Sequence, residues 1–260
     1  MGSASGAGDV VNTASEAITV EELSYTYPDG TVALQSLSFR IHVGECFGLI
    51  GPNGAGKSTL LLLLNGVIEG PGRVWLLGQR LALFNEQKLP RRISMVFENP
   101  DDQLFMSTVF DDVAFGALNL GLDDNTVRQR VQAALEAVGM EDFAAKPPYH
   151  LSLGEKKRVA LATVLVMECE IIALDEPTNG LDPAGREEFI QLLDSLPMTK
   201  IIAAHDMELI EQLCDRVAVL DEGKIAAVGP ASDILGDEEL LRDHKLRCPV
   251  TYHRVGKLSG

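Results

Sequence analysis

The stretch "GPNGAGKST", which runs from Gly51 to Thr59, decides the fold class of this sequence. It fits the pattern G-x-x-x-x-G-K-[ST] and lies between a short apolar run, "CFGLI", and an apolar segment, "KSTLLLLLNG", that predicts a helix. Glycines here let backbone N–H groups curl around phosphate oxygens, and the positive end of the helix points at the same anion. The stretch therefore predicts a phosphate-binding loop, and an ordinary glycine-rich turn is the alternative interpretation.

The side chains of this loop predict a nucleotide site with a cation. Lys57 is expected to reach the β and γ phosphates, and the Ser58 hydroxyl is expected to ligate Mg²⁺. The loop residues expected to contact the nucleotide are Gly51, Asn53, Gly54, Ala55, Gly56, Lys57, Ser58 and Thr59. ATP and Mg²⁺ are thus the predicted ligands.

A pair of acidic residues ends the apolar run "IIALDE" further along the chain. Asp175 is expected to hold Mg²⁺, directly or through water, and Glu176 is expected to act as general base toward a hydrolytic water. Such a pair after an apolar strand is often only a solvated strand end. The phosphate loop in the same chain favours the catalytic interpretation.

The segment "LSLGEKKR", residues 151–158, begins a predicted helix. Ser152 and Glu155, three residues apart, form the pattern of a capping box. A helix N-terminus that carries a hydroxyl and Gly154 is also a good receptor for a γ-phosphate. The structural and the functional interpretation are compatible, and we expect both.

The order of the predicted elements indicates an α/β fold. Residues 18–45 alternate apolar and polar side chains around "PDG", which predicts an antiparallel hairpin, and a helical insert is expected between residues 103 and 149. Short apolar strands then alternate with helices, which is typical of a mainly parallel sheet covered on both faces. We expect a disordered tail at 1–16, one domain at 17–235 with a helical subdomain at about 100–165, and a short C-terminal extension at 236–260.

Composition excludes several classes of protein. The chain has 260 residues, 46% of them apolar, and no apolar run approaches the roughly 20 residues that span a bilayer. Its net charge of −16 argues against a broad nucleic-acid surface, so no nucleic-acid partner is expected. The four cysteines have no CxxC spacing and are interpreted as reduced thiols.

Taken together, the motifs resemble those of the ATP-binding cassette (ABC) ATPases. The phosphate loop, "LSLGE", "IIALDEP", "NGLD" and "AAHD" occur in that family's order, and the resemblance covers about residues 18–230. It implies a P-loop fold with an antiparallel β-subdomain, and a head-to-tail dimer in which each ATP lies between one subunit's phosphate loop and the other's Ser152 and Gly154. It also implies that Asp182 communicates across the dimer and that His205 contacts the γ-phosphate. Tyr27 matches the aromatic residue that stacks on adenine, and a surface tyrosine of the hairpin is the alternative.

The segment "VFENPDDQLF", residues 96–105, falls at the loop of this family that touches Mg²⁺ and the transmembrane partner. The stretch "NPDDQLFMSTVFDDVAFGALNLGL", residues 99–122, together with "LSLGEKKRVALA" and "YTYPDGTVAL", closely resembles the ATPases of energy-coupling-factor (ECF) importers, most of all the cobalt/nickel type known as CbiO. This resemblance implies membrane-embedded transporter subunits as partners, together with a second ATPase subunit in a homodimer or a heterodimer. It places the chain at the cytoplasmic face of the cell membrane, as a peripheral subunit. The ATPase of an importer for another substrate, such as a vitamin, remains an alternative.

Two residues depart from the family pattern. Leu153 replaces the usual first glycine of "LSGGE", although Ser152 and Gly154 remain. Glu98 replaces the usual glutamine, and a carboxylate there is expected to ligate Mg²⁺, a cation that prefers oxygen. Glu98 is either a tolerated replacement or a residue that strengthens the binding of Mg²⁺.

Two other classes of function are weighed against a transporter ATPase. A soluble ABC ATPase that acts on nucleic acid or ribosomes is expected to carry a long coiled coil or a second cassette, and this chain has neither. A regulatory protein that binds nucleotide without hydrolysing it is expected to lack Glu176 or His205, and both are present. ATP hydrolysis coupled to transport is therefore the predicted function.

Overall fold

Ten strands form two sheets in the parts of the chain that the computed structural model describes, residues 15–81 and 92–249. One sheet has four antiparallel strands in the order β2-β1-β4-β5, and the other has six strands in the order β10-β9-β3-β8-β7-β6. The strands are β1 (Glu16–Thr26), β2 (Val32–His42), β3 (Cys46–Ile50), β4 (Arg73–Leu76), β5 (Gln79–Arg80), β6 (Ile93–Val96), β7 (Ile171–Asp175), β8 (Thr199–Ala203), β9 (Arg216–Asp221) and β10 (Lys224–Pro230). The predicted hairpin around "PDG" is the β1–β2 pair, and that prediction is confirmed.

The six-stranded sheet is parallel except at one edge, where β9 and β10 form the closing hairpin. Its central strands are short apolar runs, and all five residues of β3, β7 and β8 are buried. Strands buried on both faces need no polar alternation, which is why they appear in the sequence as continuous apolar runs. The predicted mainly parallel sheet is therefore confirmed.

Eight helices in the described residues cover this sheet and form the helical insert. They are α1 (Lys57–Leu64), α2 (Val109–Asn119), α3 (Asp124–Ala137), α4 (Leu153–Leu165), α5 (Pro183–Ser195), α6 (Met207–Leu213), α7 (Ala231–Gly236) and α8 (Glu238–Asp243). Helices α2 and α3 pack on each other and on α4. Side-chain caps start several of them, including Thr108 before α2 and Asp123 before α3, where each oxygen accepts a hydrogen bond from a backbone N–H of the first turn.

Two hydrophobic cores lie on the two faces of the six-stranded sheet. One core contains the antiparallel sheet, α1 and the β7 residues Ile171 and Ala173. The other core contains the helices from α2 through α7 and the β7 residues Ile172 and Leu174. Successive residues of a strand point to opposite faces, so β7 contributes to both cores in turn. This arrangement fixes the height and rotation of β7, whose last residue is Asp175.

The ends of the chain differ in part from the predicted boundaries. Residues 1–14 of the predicted tail and residues 250–260 of the predicted extension lie outside the described residues. Glu16, assigned to the tail, is the first residue of β1, where its carboxylate accepts hydrogen bonds from Arg40 and Thr19. The contact with Arg40 crosses from β2 to β1, and the contact with Thr19 is local. The composition of residues 1–16 does not indicate either contact. In the extension, α8 forms where "DEELLRDHKL" predicted a short helix.

No helix in the described ranges is long and apolar enough to cross a bilayer. The apolar run at residues 159–167, the nearest candidate in the sequence, is the second half of α4 and the turn after it. Its residues from Val159 to Ala162 are buried in the core beside the parallel sheet. Apolar character here thus serves packing between helix and sheet.

The core packing predicts a contrast between two phenylalanines. Phe189 on α5 is 1% exposed within the larger core, whereas Phe105 is 64% exposed. We expect Phe189→Ala to lower the free energy of unfolding by about 3–5 kcal/mol, because it removes a buried ring and leaves a cavity. Phe105→Ala is the matched control and should change it by less than about 0.5 kcal/mol. Urea denaturation of both variants tests this, and equal effects would contradict the packing described here.

Candidate active site

The phosphate loop lies where β3 ends and α1 begins, as the motif predicted. Gly54 and Gly56 have φ values of +81° and +106°, a region that favours glycine. At Gly56 a Cβ atom would also lie 2.7 Å from the Ala33 carbonyl oxygen, and at Gly51 it would lie 2.1 Å from that of Leu220. The loop therefore follows its path only with glycine at these positions.

Lys57 is the first residue of α1 and its side chain is buried. Its Nζ atom donates to the carbonyl oxygens of Gly51 (2.8 Å) and Pro52 (3.3 Å), and it lies 4.0 Å from Oε1 of Glu176. Burial lowers the pKa of Lys57, and the charges of Glu176, Asp175 and Glu98 oppose that shift. The ammonium group is thus held at the loop and next to the acidic residues.

A cavity of about 570 Å³ opens over the phosphate loop and brings most of the predicted site residues together. Its lining consists of Tyr27, Thr31, Val32, Ala33, Asn53, Gly54, Ala55, Gly56, Lys57, Ser58, Thr59, Glu98, Glu176, Asn179 and His205. One side is formed by the β1–β2 hairpin and the other by the residues that follow β6, β7 and β8. The size and the mixed lining are typical of a small-molecule site.

Tyr27 stands on the hairpin side of the cavity. Its hydroxyl oxygen is 2.9 Å from Oγ1 of Thr59, and its ring meets Tyr25 edge to face at 4.9 Å between centroids. These contacts fix the ring, which remains 36% exposed at the cavity. A fixed, half-exposed aromatic face beside Val32 and Ala33 suits an adenine base, as the sequence led us to expect.

Asp175 ends β7 directly below the cavity and is buried. Burial raises the pKa of its carboxyl group, while a hydrogen bond from the Ser58 hydroxyl lowers it. Its Oδ1 atom is buried and has no hydrogen-bond partner in the described part of the chain. An unpartnered carboxylate oxygen next to a serine hydroxyl is a donor set that fits a hard divalent cation such as Mg²⁺.

Glu176 and His205 form a close pair at the ends of neighbouring strands. Nδ1 of His205 lies 2.7 Å from Oε2 of Glu176, and the backbone N–H of His205 donates to the same oxygen at 3.2 Å. The His205 side chain is 58% exposed, so His205 is not a buried core histidine at the end of a strand. The pair is therefore fixed at the cavity by a backbone and a side-chain contact.

Glu98 lies on the loop that follows β6, and its carboxylate lines the cavity. Oε1 accepts a hydrogen bond of 2.7 Å from Nδ2 of Asn179. Sequence analysis assigned no role to Asn179, although the residue belongs to the quoted "NGLD" motif. Its amide gives the exposed Glu98 carboxylate a fixed direction.

Five predicted site residues do not line this cavity: Gly51 and Asp175, at the ends of the loop and of β7 described above, and three residues on other helices, Ser152, Gly154 and Asp182. Ser152 is the cap of α4, and the full capping box with Glu155 is present as predicted. Gly154 follows it in the first turn of α4, and Asp182 caps α5 through the backbone N–H groups of Ala184 and Gly185. None of the three lines the cavity over the phosphate loop. A single chain therefore does not bring these three residues to the phosphate loop.

Two charged groups near the site were not found by sequence analysis. Lys157 is 2% exposed, and burial lowers its pKa against the opposing charges of Glu98, Glu176 and Asp175. Arg186 donates two hydrogen bonds of 2.7 Å to Asp206, the residue after His205. Burial raises the pKa of Asp206, but these bonds outweigh it and hold that pKa below its usual range. Lys157 on α4 and Arg186 on α5 each lie among other charged residues in the sequence, a pattern typical of a solvent-exposed helix face. The sequence therefore does not indicate that either residue is near the site.

The geometry agrees with the comparison to known families. The model of the ABC transporter family matches residues 34–179, which is more than half of the chain. The chain belongs to this family. It is an ECF-type ABC ATPase, the ATP-hydrolysing subunit of a transporter.

Similar proteins cover nearly the whole chain of this ABC ATPase. A relative from Geobacter sulfurreducens, named as an ABC transporter ATP-binding protein, is 51% identical over 90% of this chain and 94% of its own. The energy-coupling factor transporter ATP-binding protein EcfA of Methanothermobacter thermautotrophicus is 46% identical over 93% of this chain and 79% of its own. The solved structure of CbiO1 from Clostridium perfringens, described as part of the ABC transporter complex CbiONQ, has a TM-score of 0.78 and 40% identity, and the match covers 93% of this chain and 99% of that one.

The buried carboxylate of Asp175 leads to a prediction about stability. Burial raises the pKa of Asp175. The ionised carboxylate therefore lowers the free energy of unfolding at neutral pH. This loss disappears as the pH falls and the carboxyl group takes up its proton. We expect Asp175→Asn to raise the free energy of unfolding of the nucleotide-free chain by about 0.5–2 kcal/mol at neutral pH. The gain should shrink at acidic pH, where the parent is also neutral at this position.

Denaturation curves at several pH values, without nucleotide or divalent cation, measure this effect. Asp194→Asn on the exposed face of α5 is the control and should leave stability unchanged. A loss of stability in Asp175→Asn at neutral pH would show that the carboxylate is better compensated than its surroundings indicate.

Proposed function

We propose that this chain powers an ECF-type importer of cobalt or nickel ions by hydrolysing ATP with Glu176 as general base. The observation that carries the hydrolytic part is the convergence of the phosphate loop, Glu176 and His205 on one cavity. The transport part rests on the likeness to EcfA and CbiO1. The choice of cobalt or nickel rests on the resemblance of residues 99–122, 151–162 and 25–34 to the cobalt/nickel type of importer ATPase.

In the proposed chemistry, water attacks the γ-phosphorus, the bond from this atom to the β–γ bridging oxygen breaks, and ADP and inorganic phosphate are the products. The backbone N–H groups of residues 53–59 and the ammonium group of Lys57 bind and orient the phosphates. Glu176 takes the proton of the attacking water, and His205, held against Glu176, donates toward the γ-phosphate. Tyr27 holds the base at the other end of the cavity.

Mg²⁺ is the cation that the acidic side of the cavity suits. Ser58, Asp175 and Glu98 supply its oxygen ligands, and the free Oδ1 of Asp175 is the observation that supports this set. When bound, the ion neutralises charge on the β and γ phosphates.

A second ATPase subunit completes each site in this proposal. Ser152 and Gly154 stand at the N-terminus of α4, away from the cavity of their own chain, and their backbone N–H groups and hydroxyl suit a γ-phosphate offered by a partner. Asp182 is the residue that senses that partner. Because one chain carries every motif, two copies can form two complete sites, and a heterodimer with a related ATPase is equally compatible with this arrangement.

The membrane-embedded transporter subunits are expected to dock near the loop after β6. Phe105 is 64% exposed there, and its ring meets Phe115 of α2 at 5.2 Å between centroids. An exposed aromatic pair that begins seven residues after Glu98 in the chain suits a partner helix that follows the state of the nucleotide. The chain would then sit at the cytoplasmic face of the membrane as a peripheral subunit.

Co-purification and uptake test the transport proposal. We expect the chain to co-purify with membrane subunits from its own organism and the assembled complex to accumulate radioactive cobalt or nickel in an ATP-dependent way. Glu176→Gln in the same complex is the control, and it should lower uptake by about 100-fold or more if Glu176 is the base. Uptake of a vitamin without cobalt or nickel would contradict the substrate class. Failure to co-purify would contradict the coupling itself.

Glu98 gives a prediction that concerns the cation alone. We expect Glu98→Gln to raise the Mg²⁺ concentration for half-maximal ATPase activity by about 3-fold or more, because an amide oxygen is a weaker ligand than a carboxylate. The glutamine still offers an oxygen to Asn179, so the loop should keep its position. Glu136→Gln, on the exposed face of α3, is the matched control. Superimposable Mg²⁺ curves for the parent and Glu98→Gln would remove Glu98 from the ligand set.

A further inference from the structure

Lys157 is a buried cation that none of the roles described so far uses. It lies on α4, five residues after Ser152, and only 2% of it is exposed. Its Nζ atom donates to two backbone carbonyl oxygens, that of Glu98 at 3.1 Å and that of Glu176 at 3.1 Å. One ammonium group therefore joins the helix that begins at Ser152 to both acidic loops of the site.

Such a placement is costly unless the charge is compensated. Removing an ammonium group from water is unfavourable, and hydrogen bonds and nearby opposite charges offset this cost. Burial lowers the pKa of Lys157, and the charges of Glu98, Glu176 and Asp175 oppose that shift. The two hydrogen bonds to carbonyl oxygens and these charges thus compensate the buried ammonium group in part.

The backbone of Glu176 needs such support. Its φ value is +44°, a left-handed conformation that is strained for a residue with a side chain. The N–H of Glu176 donates to the Ala203 carbonyl, and its own carbonyl accepts from Lys157 and from the backbone N–H of Asn179. These bonds hold both sides of the residue and direct its carboxylate into the cavity.

The loop of Glu98 is tied to α4 at a second point. Gln103 accepts from the N–H of Phe97 and donates to the Ala160 carbonyl and to Oγ1 of Thr163, both on α4. Together with Gln103 and Lys156, whose Nζ atom donates to Oδ1 of Asp101, Lys157 therefore ties the segment after β6 to α4. Of these three side chains, only Lys157 also donates to the Glu176 carbonyl.

We propose that Lys157 is a positioning residue that ties α4 to the backbone of Glu176 and Glu98 and so sets the orientation of the Glu176 carboxylate for hydrolysis. The inference rests on the proposed role of Glu176 as general base. On this proposal Lys157 affects the rate of hydrolysis, whereas the tightness of ATP binding depends on the phosphate loop and not on Lys157. It also gives the contact at the start of α4 a rigid link to the base.

The test is a steady-state comparison of full-length variants with saturating Mg²⁺. We expect Lys157→Met to lower kcat by about 10–100-fold, because small displacements of a catalytic group have effects of that order. The dissociation constant of ATP should stay within about 3-fold of the parent value, since the phosphate loop is untouched. Lys157→Gln keeps a donor on a side chain one atom shorter, and its kcat should fall between those of Lys157→Met and the parent.

Lys200 provides a matched control for the loss of a buried lysine. It is 7% exposed, its Nζ atom donates to the Leu196 carbonyl, and it lies at the opposite end of β8 from His205. Lys200→Met should leave kcat within about 3-fold of the parent value, because the altered group is distant from the reacting atoms.

A double-mutant cycle separates positioning from general stability. If Lys157 acts through Glu176, adding Lys157→Met to Glu176→Gln should change the residual kcat by less than about 3-fold, because the base is already absent. A residue with only a structural role would reduce the residual rate further. Single-turnover measurements make these low rates accessible.

The outcomes that overturn the proposal are distinct from a failure of the proposed function. Folded Lys157→Met and Lys157→Gln variants with parental kcat would overturn it, and so would additive losses in the double mutant. Loss of ATP binding together with hydrolysis in both variants would mean that Lys157 is purely structural. If Glu176→Gln alone retained parental kcat, the assignment of the base would fail, whatever the Lys157 variants did.

Discussion

The parallel register of the six-stranded sheet is the constraint on which the whole site depends. Val96 of β6 lies opposite Leu174 of β7, and Asp175 lies opposite Ala203 of β8, so these strands end at one level. The chain leaves each strand at the same edge, and ligand sites of open α/β sheets lie at that edge. A slip of one residue in β7 would exchange its two faces and turn Asp175 away from the cavity. The two cores, which take alternate residues of β7, oppose such a slip.

Charge compensation is the second condition for this site. The chain carries a net charge of −16, yet two of its buried lysines, Lys57 on α1 and Lys157 on α4, lie beside the acidic residues of the site. In each case burial lowers the pKa of the ammonium group and the neighbouring carboxylates oppose the shift. Carboxylates and ammonium groups that are costly to bury separately are stabilised when they are buried together. The net charge of the chain therefore does not give the balance of charge at the site, where buried ammonium groups accompany the carboxylates.

Sequence predicted the fold through local patterns and the site through motifs with fixed spacing. The phosphate loop, the capping box at Ser152 and the short apolar strands each depend on a few consecutive residues, and all are present. Contacts between distant segments could not be read in this way. The bonds of Lys157 to Glu98 and Glu176 span 59 and 19 residues, and the bond from Asn179 to Glu98 spans 81. Only the fold brings such pairs together, which is also why the strand contact of Glu16 was missed.

The left-handed backbone of Glu176 affects how genetic data on this enzyme should be interpreted. At a φ value of +44° the main chain tolerates glycine and asparagine best and β-branched residues worst. In a saturation library at this codon, many replacements would therefore lower activity because they strain the backbone, and not because they lack the carboxylate. An inactive valine variant would say little about the carboxylate, whereas an unbranched neutral side chain would report on it directly. The position is constrained twice, and the two constraints can be separated only by choosing replacements that share the shape of the original.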